Sequence, residues 1–221
     1  MVQGLSAYEY ILFDSKIDMA DSAQKAKYCP LLTAIGERQK QLAEEILSGW
    51  NTNDGMLAQM SKFPNQRYAD SHEAIADLLR VQVTAIDTLK KKLGTPMGRQ
   101  SKGVPQPFQA DAWRSQSSLT SLEASLAAAK TVWEGVDNKG LRGLLPSEQK
   151  PLADKIDAAY AASLKLFAGN QRSLTDMLND EAGRQQLNEL YDSLNVVHRL
   201  HEADLAKALG IQLGFNANDG D

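Results

Sequence analysis

Apolar residues recur along most of this chain at three- and four-residue steps. The clearest run is Ile75, Leu78, Leu79, Gln82, Ile86, Leu89 and Leu93, the spacing of one face of an α-helix. Asp70-Ser71-His72-Glu73 precedes it. An N-cap residue with glutamate three positions on is the pattern of a capping box, and it places His72 just inside the helix start. Gly94 and Pro96 follow the run and punctuate its end.

The same period predicts further helices. One runs through Leu31, Ile35, Leu42, Ile46 and Trp50, with Glu37, Arg38, Lys40, Glu44 and Glu45 on its polar side. One covers Leu119, Leu122, Leu126, Ala129 and Trp133. Another follows Pro146-Ser147-Glu148, carries Leu152, Ile156, Tyr160 and Phe167, and closes at Gly169-Asn170. The last long one uses Leu187, Leu190, Leu194, Val197, Leu205 and Leu209 and ends at Gly210. Shorter pieces fall at Tyr8–Phe13 and Ser173–Leu178. Alternating strand patterns do not stand out. The expected fold is therefore an all-α helical bundle, each helix burying one stripe against its neighbours. The main interruption runs from Thr95 to about Phe108 and contains Pro96, Gly98, Gly103, Pro105 and Pro107. It is too long for a tight bundle loop, which leaves two readings: a crossover connection, or the lining of a functional cleft.

Composition adds bounds. The chain has 221 residues, 43% hydrophobic and 24% charged, enough for one large domain or two small ones with an ordinary core. The net charge of −4 argues against an extended phosphate interface, so nucleic acid is not an expected partner. Lys90-Lys91-Lys92 reads as cations favourably placed at a helix C-terminus. Cys29 is the single cysteine and excludes an intrachain disulfide. Its neighbours Tyr28, Pro30, Leu31 and Leu32 suit a packed thiol. No stretch approaches the roughly 20 apolar residues of a membrane span, and the N-terminus has no basic and apolar regions of a signal peptide.

Four segments carry a resemblance. Gly4-Leu5-Ser6-Ala7-Tyr8-Glu9, with the run Tyr10-Ile11-Leu12-Phe13-Asp14, is similar to a G-x-H-x-x-E signature with Ser6 at the histidine position. Ala112-Trp113-Arg114-Ser115-Gln116-Ser117-Ser118-Leu119 resembles W-R-S-x-x-S before a helix, and Leu93 to Pro107 resembles the connection preceding it. Leu209-Gly210-Ile211-Gln212-Leu213-Gly214-Phe215-Asn216-Ala217-Asn218-Asp219-Gly220-Asp221 resembles a closing L-G-F-N-x-x-D-G-D. In this order the segments resemble the imelysin family. The resemblance implies an all-helical bacterial protein of the periplasm or outer cell envelope, built as two bundle-like halves and linked to iron uptake, with a peptidase label from one member. Family members usually carry a signal or lipoprotein anchor and a helical segment before the motif. The chain is thus expected to be the C-terminal part of a longer protein, with a lipid anchor upstream. Its expected divisions are a motif segment at 1–20, helices at 21–94, the Gly/Pro-rich connection at 95–108, and helices with a terminal loop at 109–221.

The candidate chemistry lies on the same segments. Ser6 and Glu9 share a helix face, and the family's pair there is its suspected metal or catalytic site. A neutral hydroxyl is a poor ligand beside imidazole, so Glu9 is the candidate metal ligand for iron or another divalent ion, and a site there needs two or three further ligands from elsewhere. S-x-x-E is equally a capping box, with Ser6 as cap. His198, His201 and Glu202 have metal-permitting spacing, yet alternate with Arg199 and Lys207 like a solvated face. Trp113, Arg114 and Ser115, with Ser118, combine a planar cation with hydroxyls at a helix start, a setting for anions. The other reading is a structural arginine pairing an acidic neighbour. Asn216, Asn218, Asp219 and Asp221 have the oxygen ligands that begin a calcium loop but not its closing glutamate, and read equally as a turn. No H-E-x-x-H, G-x-S-x-G or glycine-rich phosphate loop occurs.

The expected protein is an imelysin-like envelope accessory of iron uptake that binds a small ligand or metal through Ser6, Glu9, Trp113, Arg114, Ser115 and Asp219, with envelope iron-uptake proteins as partners. A metallopeptidase and a non-catalytic partner-binding helical module are the alternatives.

Overall fold

The computed structural model describes residues 4–169 and 172–213. They fall into two compact units that divide between Ala74 and Ile75. Among the described residues all regular structure is helical, so the all-α bundle expected from the periodicity is the fold.

In the first unit α1 spans Leu5–Phe13, α2 Ser22–Asn51 and α3 Met56–Gln59. Asp21 caps α2, its side chain accepting from the Gln24 amide at 2.8 Å. The helix therefore starts well before the Leu31 stripe and runs through Pro30. Ile11 of α1 is buried with Leu32 and Ile35 of α2, and Ala7, Tyr8, Met19, Tyr28 and Leu31 pack around them. Cys29 beside this cluster is only half-buried. The expected stripe along α2 is buried at one end only: Ile46 is 62% and Trp50 44% exposed. Length is the reason. At about 1.5 Å per residue, the nine residues of α1 cannot reach along the thirty of α2.

Helix α4, Ser71–Gly94, opens on the capping box. Asp70 Oδ1 accepts from the Glu73 amide at 3.0 Å, and Glu73 Oε2 reaches back to the Ala69 amide at 2.7 Å. From Ile75 onward it belongs to the second unit, with α5 (Ser118–Glu134), α6 (Lys150–Ala168), α7 (Leu174–Leu178) and α8 (Glu181–Arg199). Helix α8 continues through a π-helical turn, Leu200–Leu205, into the short α9, Ala206–Ala208. Gly210, at φ 66°, closes it. Helix α6 packs on α5 and α8, and α7 on α8. Leu79, Ile86 and Leu93 of α4, Leu126 and Trp133 of α5, Ile156 and Tyr160 of α6, and Leu187 and Leu194 of α8 are fully or almost fully buried in one core. These are the residues that the helical stripes mark.

The approach of α7 to α8 depends on Gly183. A Cβ there would lie 2.3 Å from the Met177 carbonyl oxygen. Asp180 caps α8 by accepting from the Gly183 amide at 2.7 Å, so the cap and the close contact share one residue.

Candidate functional site

In the first unit Ser6 is the second residue of α1 and is exposed; Glu9 sits one turn on and is half-buried. The two share a face, as their spacing requires. The capping reading of Ser6 does not hold. The N-cap is Gly4, at φ 92°, and no side chain caps the helix. A cap side chain must sit just before the first helical residue to reach the open amides, and Ser6 is already inside.

In the second unit the Trp113 segment forms a turn ahead of α5, with Ala112 and Gln116 at positive φ. Phe108 meets the Trp113 ring edge-on at a centroid distance of 4.8 Å. The Arg114 guanidinium stacks on the Trp113 ring at 4.3 Å. Stacking fixes the plane of a fork that matches carboxylates and similar anions. The serines behave differently from the expectation of hydroxyls turned to a ligand. Helix α5 begins only at Ser118, so Ser115 lies ahead of it. Ser115 Oγ donates to the Ala112 carbonyl at 3.1 Å, and Ser118 Oγ to the Asp111 carbonyl at 2.5 Å. Both protons are used to hold the turn that presents Trp113 and Arg114. Lys92 pairs with Asp111 at 2.7 Å and ties the same turn to α4.

The histidines also depart from the solvated face expected of them. His201 is fully buried and His198 8% exposed. His201 Nδ1 lies 2.9 Å from the Val197 carbonyl, so it carries the proton and donates there. Its Nε2 then accepts from the Tyr160 hydroxyl at 3.3 Å. Tyr160 in turn accepts from Gln82 Nε2 at 3.0 Å, and Gln82 Nε2 also donates to the Ala129 carbonyl at 2.6 Å. Trp133 and Tyr160 flank the imidazole edge-on. Burial pushes His201 down to about 4; the Val197 carbonyl opposes this, and the charge of His198 adds to it. Burial raises the Tyr160 hydroxyl, against its bond from Gln82. Both groups are neutral members of a satisfied network, the condition under which buried polar groups are tolerated. The signal was present in the sequence. His201 lies four residues after Val197 and four before Leu205, on the apolar stripe.

His198 belongs to a second cluster. Lys90 Nζ is 3.3 Å from His198 Nδ1 and 3.5 Å from Asp87 Oδ1. Glu202 Oε2 is 3.7 Å from His198 Nδ1. Burial raises Asp87, but the hydrogen bond from Lys91 and the charges of Lys91, Lys90 and His198 outweigh it and hold the carboxyl below its ordinary range. A lysine ammonium on the imidazole is unfavourable for a metal cation there. Lys90 and Lys91 are ion-paired with Asp87 within the fold, a pairing beyond the favourable helix-end placement read from the sequence.

Among the described residues no three His, Cys, Asp or Glu side chains group closely enough to hold a metal ion. With Ser6 at the motif's histidine position, the described residues do not fit a resident metal centre at Glu9. Asp219, like Asn216, Asn218 and Asp221, lies outside the described residues. No described helix is long and apolar enough to cross a membrane.

The fold and these sites define an all-α protein with a carboxylate on its first helix and a stacked cation before α5. The imelysin family model matches residues 1–201, and the chain belongs to the imelysin family. Comparisons with curated proteins and with solved structures gave no match.

Proposed function

We propose that this chain is a non-catalytic binding protein of the bacterial cell envelope, outside the cytoplasm, serving iron uptake by holding a small iron-bearing anion. The observation that carries the reading is Arg114, stacked at 4.3 Å on a tryptophan that Phe108 braces, in a chain of the imelysin family. A guanidinium held in one plane recognises carboxylate oxygens of an anionic chelate with two parallel hydrogen bonds. Iron is cargo in this reading and arrives with its own ligands, so a full set of protein ligands is not required. In the first unit, Glu9 and Ser6 on α1 are a separate candidate contact, a carboxylate and a hydroxyl at the family motif with serine in place of imidazole. Proteins of envelope iron uptake are the expected partners.

The test loads the chain separately with ferrous, ferric and zinc ions and with ferric citrate, removes what is unbound, and measures retained metal by elemental mass spectrometry. Retention of about one iron per chain from ferric citrate, reduced about tenfold or more by Arg114→Ala, supports the reading; loss of one charged hydrogen-bond partner is of that size. Glu9→Gln tests the carboxylate in the same way. Iron absent from the wild-type chain after all three iron loadings refutes it.

A further inference from the structure

The connection between α4 and α5 runs for more than twenty residues without a long helix, yet it is tightly built. The Arg99 amide bonds the Gly94 carbonyl at 3.1 Å, the Gly103 amide bonds the Gly98 carbonyl at 2.9 Å, and the Gln106 amide bonds the Pro96 carbonyl at 2.8 Å. Gly98 is required: its φ is 84°, and a Cβ would lie 2.3 Å from the Val104 carbonyl oxygen. A long connection with this much internal bonding is a positioning device rather than slack.

What it positions is Arg99. The guanidinium lies 3.6 Å over the Tyr191 ring of α8 and donates to Asn188 Oδ1 at 3.0 Å. Arg184, also on α8, donates to the Leu178 carbonyl at 3.0 Å. Both cations are held by neutral oxygens. The nearby Asp180 carboxylate takes its hydrogen bonds from Arg172 and the Gly183 amide, and interacts with Arg184 only through its charge. Between the connection and the start of α8 lies a solvent-open cleft of about 590 Å³, lined by Arg99, Arg184, Glu181, Gln185, Asn188 and Met97. That volume is in the range of small-molecule sites, roughly 300–1,000 Å³.

We infer that this cleft is a second ligand site, for a small dicarboxylate that also carries a hydroxyl or ammonium group. Each guanidinium offers a bidentate fork to one carboxylate, and no other side chain donates in that geometry. Glu181 repels a purely anionic ligand but accepts from a hydroxyl or ammonium. The Gln185 and Asn188 amides bind either kind of oxygen. One carboxylate among two guanidiniums therefore selects for a donor-bearing dicarboxylate over inorganic phosphate or an unsubstituted dicarboxylate.

Isothermal titration calorimetry of the whole chain with malate, aspartate, succinate and inorganic phosphate, in the absence of metal, tests this. Malate or aspartate binds at least about tenfold more tightly than succinate and phosphate, and Arg184→Gln weakens it by about tenfold, the size of one charged hydrogen-bond pair. Arg99→Lys keeps the charge and loses the fork, so it too weakens binding, with thermal unfolding unchanged as the check on folding. Glu181→Gln abolishes the preference for malate over succinate. Arg114→Ala leaves malate binding intact, which separates this site from the iron-chelate reading. Malate and aspartate that give no saturable heat, or binding that survives both Arg184→Gln and Arg99→Lys, overturn the inference.

Discussion

Acidification tests the buried histidine most directly. His201 sits at about 4 in the folded chain against an ordinary 6.5. The physical cause is visible in its partners. Protonation would add an N–H at Nε2, where Tyr160 already donates its own proton and accepts from Gln82. The charged ring would also be fully buried, where an ion loses its hydration. Because the folded value is depressed, the unfolded chain binds the proton first. Stability from this residue is complete above the unfolded value of 6.5 and is lost as pH falls from there towards 4. The full difference of about 2.5 units corresponds to about 3 kcal/mol, and about 2 kcal/mol of it is lost between pH 7.5 and 5.0. Urea unfolding followed by circular dichroism at a series of pH values measures the total slope. His201→Gln removes the titrating group while keeping hydrogen-bonding capacity, so the difference between wild type and variant isolates the contribution of His201 from those of His198 and the carboxylates. NMR titration of the His201 ring gives the folded value independently. A wild type and variant with parallel pH profiles, or a ring that titrates near 6.5 in the folded chain, would refute the reasoning.

Two further predictions concern the helix junctions. Gly183→Ala places a Cβ 2.3 Å from the Met177 carbonyl oxygen. The cost of overpacking, about 1–3 kcal/mol, outweighs the helix propensity gained, and a variant at least as stable as wild type in urea would contradict the packing described. Asp70→Ala removes the acceptor of the Glu73 amide and lowers stability by about 1 kcal/mol; an unchanged midpoint would mean the cap is solvated in solution.

Much of the fold was legible in the sequence because helices signal locally. The stripe Ile75–Leu93, its capping box and its Gly94 end lie where the pattern placed them. The start of α5 and the end of α6 follow in the same way. The candidate sites were less legible. S-x-x-E fits a helix cap and a shared helix face equally, and only the backbone shows that Gly4 holds the cap position. His198 and His201 sit among charged residues, and local charge outweighed the stripe that passes through His201. The connection after α4 left open a crossover or a cleft lining, and its residues line a cleft with α8.

The sequence by itself determined the helices, their punctuation and the family, because periodicity, caps and motifs are properties of neighbours along the chain. It also placed Gln82 and Tyr160 within the apolar stripes of two helices, whereas His201 read as part of a solvated face. Only the tertiary structure decided that these three meet one another. Burying a lone polar group in a core is unfavourable by several kcal/mol. The packing of α4, α6 and α8 with its π-turn brings the three side chains into one satisfied network, a pairing that no local pattern encodes.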